Sequence, residues 1–138
     1  MKKTTQMRNA DLLVNARQVL SIATARGEVL NVAQLMAATI NRSPKMHYVD
    51  YDRASKVLHA IESRGIDAVV GNGMARMQWE ELRRQVDETM ARRSKLTFSQ
   101  ALTFVLHFRR PSRFYITANA AFRILNRHFR TAVVEVRG

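Results

Sequence analysis

The passage from Arg42 to Leu58, RSPKMHYVDYDRASKVL, returns from Arg109 to Leu125 as RRPSRFYITANAAFRIL. At a constant offset of 67, Pro44 pairs with Pro111, Tyr48 with Tyr115, Val49 with Ile116, Ala54 with Ala121, Lys56 with Arg123, Val57 with Ile124 and Leu58 with Leu125. Upstream the offset is 66, matching Arg17 with Arg83, Ala25 with Ala91, Arg26 with Arg92, Leu30 with Leu96 and Gln34 with Gln100. One residue inserted near the second helix accounts for the change. Downstream, DAVVG at 67–71 echoes TAVVE at 131–135. Matches in the same order at a near-constant spacing constrain the fold more than composition does, because they require two versions of one unit. Gly71-Asn72-Gly73 supplies a break between them. The reading therefore divides the chain into a first repeat at 1–71 and a second at 72–138. A unit of about 65 residues buries too little of its surface to be more than marginally stable. The two are expected to lean on each other, or to pack as one compact domain.

Each repeat reads as three helices. The first is expected from Asn9 to Arg26 and from Ala75 to Arg93, with Leu13, Ala16, Leu20 and Ala23 at helical spacing. LNVAQ and LTFSQ each place a capping residue, Asn31 or Thr97, three positions before a glutamine, which is the capping-box pattern. The second helices are then expected to reach Asn41 and Phe108, where Pro44 and Pro111 prevent further growth. Asp50 and Thr117 are suited to cap third helices that reach Ser63 and Arg130. The AVV ends are β-branched and read as short strands, paired either with the HYV and FYI segments or with each other. The expected fold is mainly α: a tandem repeat of two three-helix, helix-turn-helix-like units with short β segments. The connection from Arg109 to Ile116 is longer than the roughly 3–4 residues of a true helix-turn-helix.

Charge narrows the function. Lys plus Arg number 23 against 11 acidic residues, a net charge of +12. Such a balance favours polyanionic partners, nucleic acid before membrane. Eighteen of the 23 basic residues are arginine, whose planar donor fork matches phosphates and guanine edges. The excess is localised: residues 1–71 carry a net of +4 and residues 72–138 a net of +8. Between Thr89 and Val134 there are nine basic residues and no acidic one.

On the third helix of the second repeat, Ala121, Phe122, Leu125 and Phe129 are expected on one face at about 100° per residue. Arg123, Arg127 and Arg130 fall opposite, flanked by Asn119 and Asn126. The matching positions of the first repeat, Lys56, Ala60 and Ser63 flanked by Asp52 and His59, have largely lost this pattern. Arg109, Arg110 and Arg113 lead into the helix. These eight residues (Arg109, Arg110, Arg113, Asn119, Arg123, Asn126, Arg127 and Arg130) form the candidate nucleic-acid contact set. Phe114 and Tyr115 read as loop anchors in the core, and Trp79 as core in the place of Leu13.

Little suggests catalysis. There is no cysteine, which excludes disulfides, thiol chemistry and Cys-type zinc sites. His47, His59, His107 and His128 have no metal-ligand spacing, and no GxGxxG, GxxxxGK[ST] or GxSxG occurs. Glu80, Glu81, Asp87 and Glu88 read as a solvated face, and Asp50 and Asp52 as helix-start charges. No cofactor, metal or enzymatic activity is expected. No run approaches the roughly 20 apolar residues of a bilayer span. A membrane partner is not expected, because the helix faces opposite the arginines are needed for the core, leaving no free amphipathic helix.

The pattern P-x-x-[FH]-Y-[VI]-[TD], met by Pro111, Phe114, Tyr115, Ile116 and Thr117 and with variations by Pro44, His47, Tyr48, Val49 and Asp50, resembles a group of short, basic, uncharacterised bacterial proteins found near phage or mobile-element genes. The resemblance implies a bacterial or phage-encoded protein of the cytoplasm, and no site residues. The expected function is non-catalytic nucleic-acid binding, DNA ahead of RNA, with the first repeat as scaffold, homodimer surface or protein-partner surface. The alternative is a structural or interaction protein, such as a phage particle component or a ribosome-associated factor.

Overall fold

The computed structural model describes the backbone of residues 2–137 and the side chains of residues 2–129. Seven helices are described: α1 (Lys3–Ala25), α2 (Val32–Ile40), α3 (Tyr51–Arg64), α4 (Ile66–Val69), α5 (Met74–Arg92), α6 (Phe98–Phe108) and α7 (Ala118–Arg137). There is no strand among the described residues. The expected β segments are therefore corrected. The first AVV end lies in the short helix α4 and its adjoining residue, the second is the continuation of α7, and HYV and FYI are extended loop.

The helix starts follow local chemistry. Asn31 and Thr97 close complete capping boxes with Gln34 and Gln100, each satisfying two otherwise orphaned backbone donors. Asp50 Oδ1 accepts from the Arg53 amide at 2.8 Å, and Thr117 Oγ1 accepts from the Ala120 amide at 3.2 Å. Gly65, with φ 83°, separates α3 from α4 in a conformation that favours glycine.

The helices group into two compact units that do not follow the sequence repeat. Unit 1 comprises Met1–Pro44 with Ser112–Gly138, and unit 2 comprises Lys45–Pro111. The switches between units fall immediately after the two matched prolines. In unit 1, α7 of the second repeat packs on α1 and α2 of the first. In unit 2, α3 of the first repeat packs on α6 of the second, which also packs on α5. Thus α7 joins α1 and α2, and α3 joins α6, across the boundary expected at Gly71-Asn72-Gly73. Consequently α6 and α7, read as a helix-turn-helix-like pair from sequence, lie in different units. The long connection that departed from the motif is the segment that changes units.

The core of unit 1 is Leu12, Ala16, Leu35, Phe114, Ile116, Ala121, Leu125 and Phe129. That of unit 2 is Ala54, Leu58, Ile61, Trp79, Leu82, Val86, Ala101, Leu102 and Val105. Matched sequence positions make matched contacts in the two cores. Ala121 meets the α1–α2 core where Ala54 meets the α5–α6 core, and both are fully buried. Arg17 lies over the Phe129 ring at 6.0 Å, while Arg83 pairs with Glu62, the counterpart of Phe129, at 3.1 Å.

One matched pair changed from apolar to polar. Phe114 is buried in the cluster against which Val19 packs. At the counterpart positions, His47 is buried with its Nε2 2.6 Å from Gln85 Oε1. Gln85 Nε2 donates to the Arg110 carbonyl at 2.9 Å, so Oε1 is free to accept and His47 Nε2–H is the donor. Burial holds the His47 pKa below its ordinary value of 6.5, despite opposing contributions from Gln85 and Glu81. A histidine with a depressed folded pKa binds fewer protons than the unfolded chain. Stability is then fully present above about pH 6.5 and falls as pH drops below it. His47→Phe alone should cost about 1–3 kcal/mol, because Gln85 Oε1 loses its donor in a buried site. Adding Gln85→Val removes the stranded acceptor but also the donor to the Arg110 carbonyl. It should therefore recover part of that loss and flatten the decline in melting temperature between about pH 7 and about pH 5. Equal pH dependence of wild type and double variant would contradict the assignment.

Candidate nucleic-acid interface

The α7 helix presents two opposed faces. Ala121, Leu125 and Phe129 are buried against α1 and α2, and Arg123 and Arg127 are exposed on the other side. Neither arginine has an ion-pair partner among the described side chains. Asn119 is exposed and Asn126 is half-buried beside them. The Arg130 side chain lies outside the described residues. Phe122 corrects the expected apolar face: it is 38% exposed, on the flank of the buried stripe.

Arg113 is also in unit 1 and is held in place. Its Nε donates to the Phe114 carbonyl at 3.2 Å, and its guanidinium lies 5.9 Å from the Tyr115 ring centroid. Phe114 is fully buried, as expected of a core anchor, whereas Tyr115 is half-buried beneath Arg113. Arg109 and Arg110 belong to unit 2. Arg109 is committed to Glu88 at 3.1 Å, and Glu88 also meets Arg84 at 3.6 Å. Arg110 is exposed, with its carbonyl bound by Gln85. The eight sequence candidates therefore do not form one contiguous group within a unit: five described side chains belong to unit 1 and two to unit 2.

Sequence reasoning missed a second basic cluster. Thr89, Arg92, Arg93, Phe104 and Arg109 line a cleft of about 220 Å³ in unit 2. The Arg93 guanidinium sits 4.8 Å from the Phe104 ring centroid. Phe104 and Phe108 lie 5.1 Å apart, centroid to centroid, and Phe108 is 74% exposed. The signal was present as a Phe pair four residues apart near the end of α6, set against Arg92-Arg93. The acidic residues of α5 also differ from the expected solvated face. Glu81 is buried, within 3.5 Å of Arg84, while Glu80 and Asp87 are exposed.

Among the described residues no group of three His, Asp or Glu side chains could hold a metal ion, and no helix is long and apolar enough to cross a membrane. No protein-family model, curated protein or solved structure matches the chain.

Proposed function

We propose that this protein binds nucleic acid without catalysing a reaction on it, and that the outward face of α7 makes the principal contact. The observation that carries this reading is the pair Arg123 and Arg127. Both are exposed opposite a buried stripe and neither is neutralised by a described carboxylate. They also lie in a stretch with no acidic residue from Thr89 to Val134. Guanidinium groups flanked by asparagines suit phosphates and base edges together. The matched helix α3 performs the same packing task with Lys56 alone among the corresponding positions, so packing does not require the arginines. We further infer that the two units are versions of one three-helix arrangement assembled by exchange of third helices.

A mobility-shift titration with a duplex of about 20 base pairs at about 50 mM salt tests the reading. Binding should be tight and should weaken steeply with added salt, as counterion release requires. No binding to duplex or single strands at that salt would overturn it. The same titration with duplex RNA distinguishes DNA, the preferred partner, from RNA.

The interaction-protein reading keeps one observation of its own. Met7, Val14 and Ile22 are 40–47% exposed on α1. Capture of one protein partner that survives nuclease treatment would favour it.

A further inference from the structure

Unit 2 holds an arrangement that the α7 reading leaves unused. Arg92 closes α5, Arg93 is its C-cap, and Phe104 and Phe108 occupy the last two turns of α6. Two chemistries meet there. Arg92 and Arg93 are exposed and have no ion-pair partner among the described side chains. Phe104 lines the cleft under Arg93, and one turn on Phe108 offers an open aromatic ring, 5.1 Å from that of Phe104 and tilted 41° to it. Arg109 joins the lining but is turned to Glu88, so the charge available to a ligand comes from Arg92 and Arg93.

Favourable interaction with the C-terminal dipole of α5 explains a basic residue at that end. It does not explain the aromatic pair next to it, in which Phe104 is half-buried under Arg93 and Phe108 is exposed. Nor does the shared packing: the counterparts of Phe104 and Phe108 in the first repeat fall among Ala37, Ala38, Asn41 and Arg42, none of them aromatic. The cleft, at about 220 Å³, is smaller than the roughly 300–1,000 Å³ typical of sites that enclose a whole small molecule. It suits one flat group with an anion attached.

We propose that this cleft is a second nucleic-acid site, which takes an unpaired nucleotide of a single strand. Its base stacks on Phe108 and its phosphate lies on Arg92 and Arg93. An aromatic platform beside basic side chains is the general solution for single strands, because only unpaired bases expose their faces. An acidic peptide would satisfy the arginines and leave the rings without a partner. The proposal rests on the nucleic-acid reading above, and it names a different unit and a different strand state.

The test uses the full chain, a fluorescein-labelled oligothymidine of about 12 nucleotides and a duplex of about 20 base pairs, followed by anisotropy. Phe108→Ala removes an exposed ring, and Arg92→Ala/Arg93→Ala removes the charge. Both should weaken single-strand binding roughly tenfold or more, the scale of losing one stacked base or its phosphate contacts, and leave duplex binding within about twofold. Arg123→Ala/Arg127→Ala should do the reverse. Phe108→Trp should retain single-strand binding, and its fluorescence should be quenched on addition of the oligonucleotide. If the duplex binds but Phe108→Ala binds the single strand as wild type does, this inference fails and the α7 reading stands. If wild type binds neither, both fail. Polyglutamate competing as well as oligothymidine at equal charge would also overturn the inference, because a stacking site must prefer bases.

Discussion

Replacing Phe114 with alanine is expected to lower stability by about 3–5 kcal/mol, the usual cost of removing a fully buried phenylalanine. Phe114 is 1% exposed, and its amide donates to the Ile40 carbonyl at 3.0 Å. The location of the damage is as informative as its size. Phe114 follows α6 closely in sequence, yet it fills the core built with Leu12, Ala16 and Leu35. Hydrogen exchange should therefore show protection lost first in α1, α2 and α7, with α5 and α6 less affected. Loss concentrated in α5 and α6 would contradict the placement of Phe114 in the core of unit 1. Phe108→Ala serves as the control, since a ring 74% exposed should cost little.

Cutting the chain at Gly71-Asn72-Gly73 should give two fragments that are poorly folded alone and combine one to one. Residues 1–71 supply Leu12, Ala16 and Leu35 to the first core, and Ala54, Leu58 and Ile61 to the second. Residues 72–138 supply the rest of both. Each fragment therefore carries part of each core and all of neither, and isolated helices with exposed apolar faces are marginal in water. Mixing equimolar fragments should raise helical circular dichroism well above the sum of the separate signals and yield a 1:1 complex on sedimentation. Two fragments that are each fully helical monomers, with no gain on mixing, would show that every repeat folds on itself.

The capped helix starts were legible because their signals are local, whereas α1, which begins at Lys3 with no capping side chain instead of at Asn9, and the short α4 were not. The capping boxes at Asn31 and Thr97 and the caps at Asp50 and Thr117 set helix starts within a few residues of the observed ones. The AVV ends were misread because β-branched residues carry a strand preference, which helical context overrode. The packing of α7 with α1 and α2, and of α3 with α6, was not legible, since α3 and α7 carry near-equivalent apolar stripes. An alanine-leucine stripe on α3 or α7 says that a helix is covered, not by which partner. The recurrent proline, located where the chain leaves one unit for the other, was the nearest sequence trace of this division.

The basic face of α7 was legible for the same local reason: period 3.6 separates Ala121, Leu125 and Phe129 from Arg123 and Arg127. Phe122 fell on the margin of that stripe, where a residue is buried or exposed according to the neighbouring helix. Arg109 could not be separated from the binding residues by sequence, because its partner Glu88 lies 21 positions away. The Arg93–Phe104 contact was hidden likewise, as it depends on how α5 packs against α6.

The most direct measurement is the salt dependence of duplex DNA binding by wild type and by Arg123→Ala/Arg127→Ala. If both arginines neutralise phosphates, the double variant should bind more weakly at every salt concentration. Its log–log slope should be shallower by about 1.8, the loss expected for two phosphate contacts. An unchanged affinity and an unchanged slope would show that the face of α7 does not touch the nucleic acid.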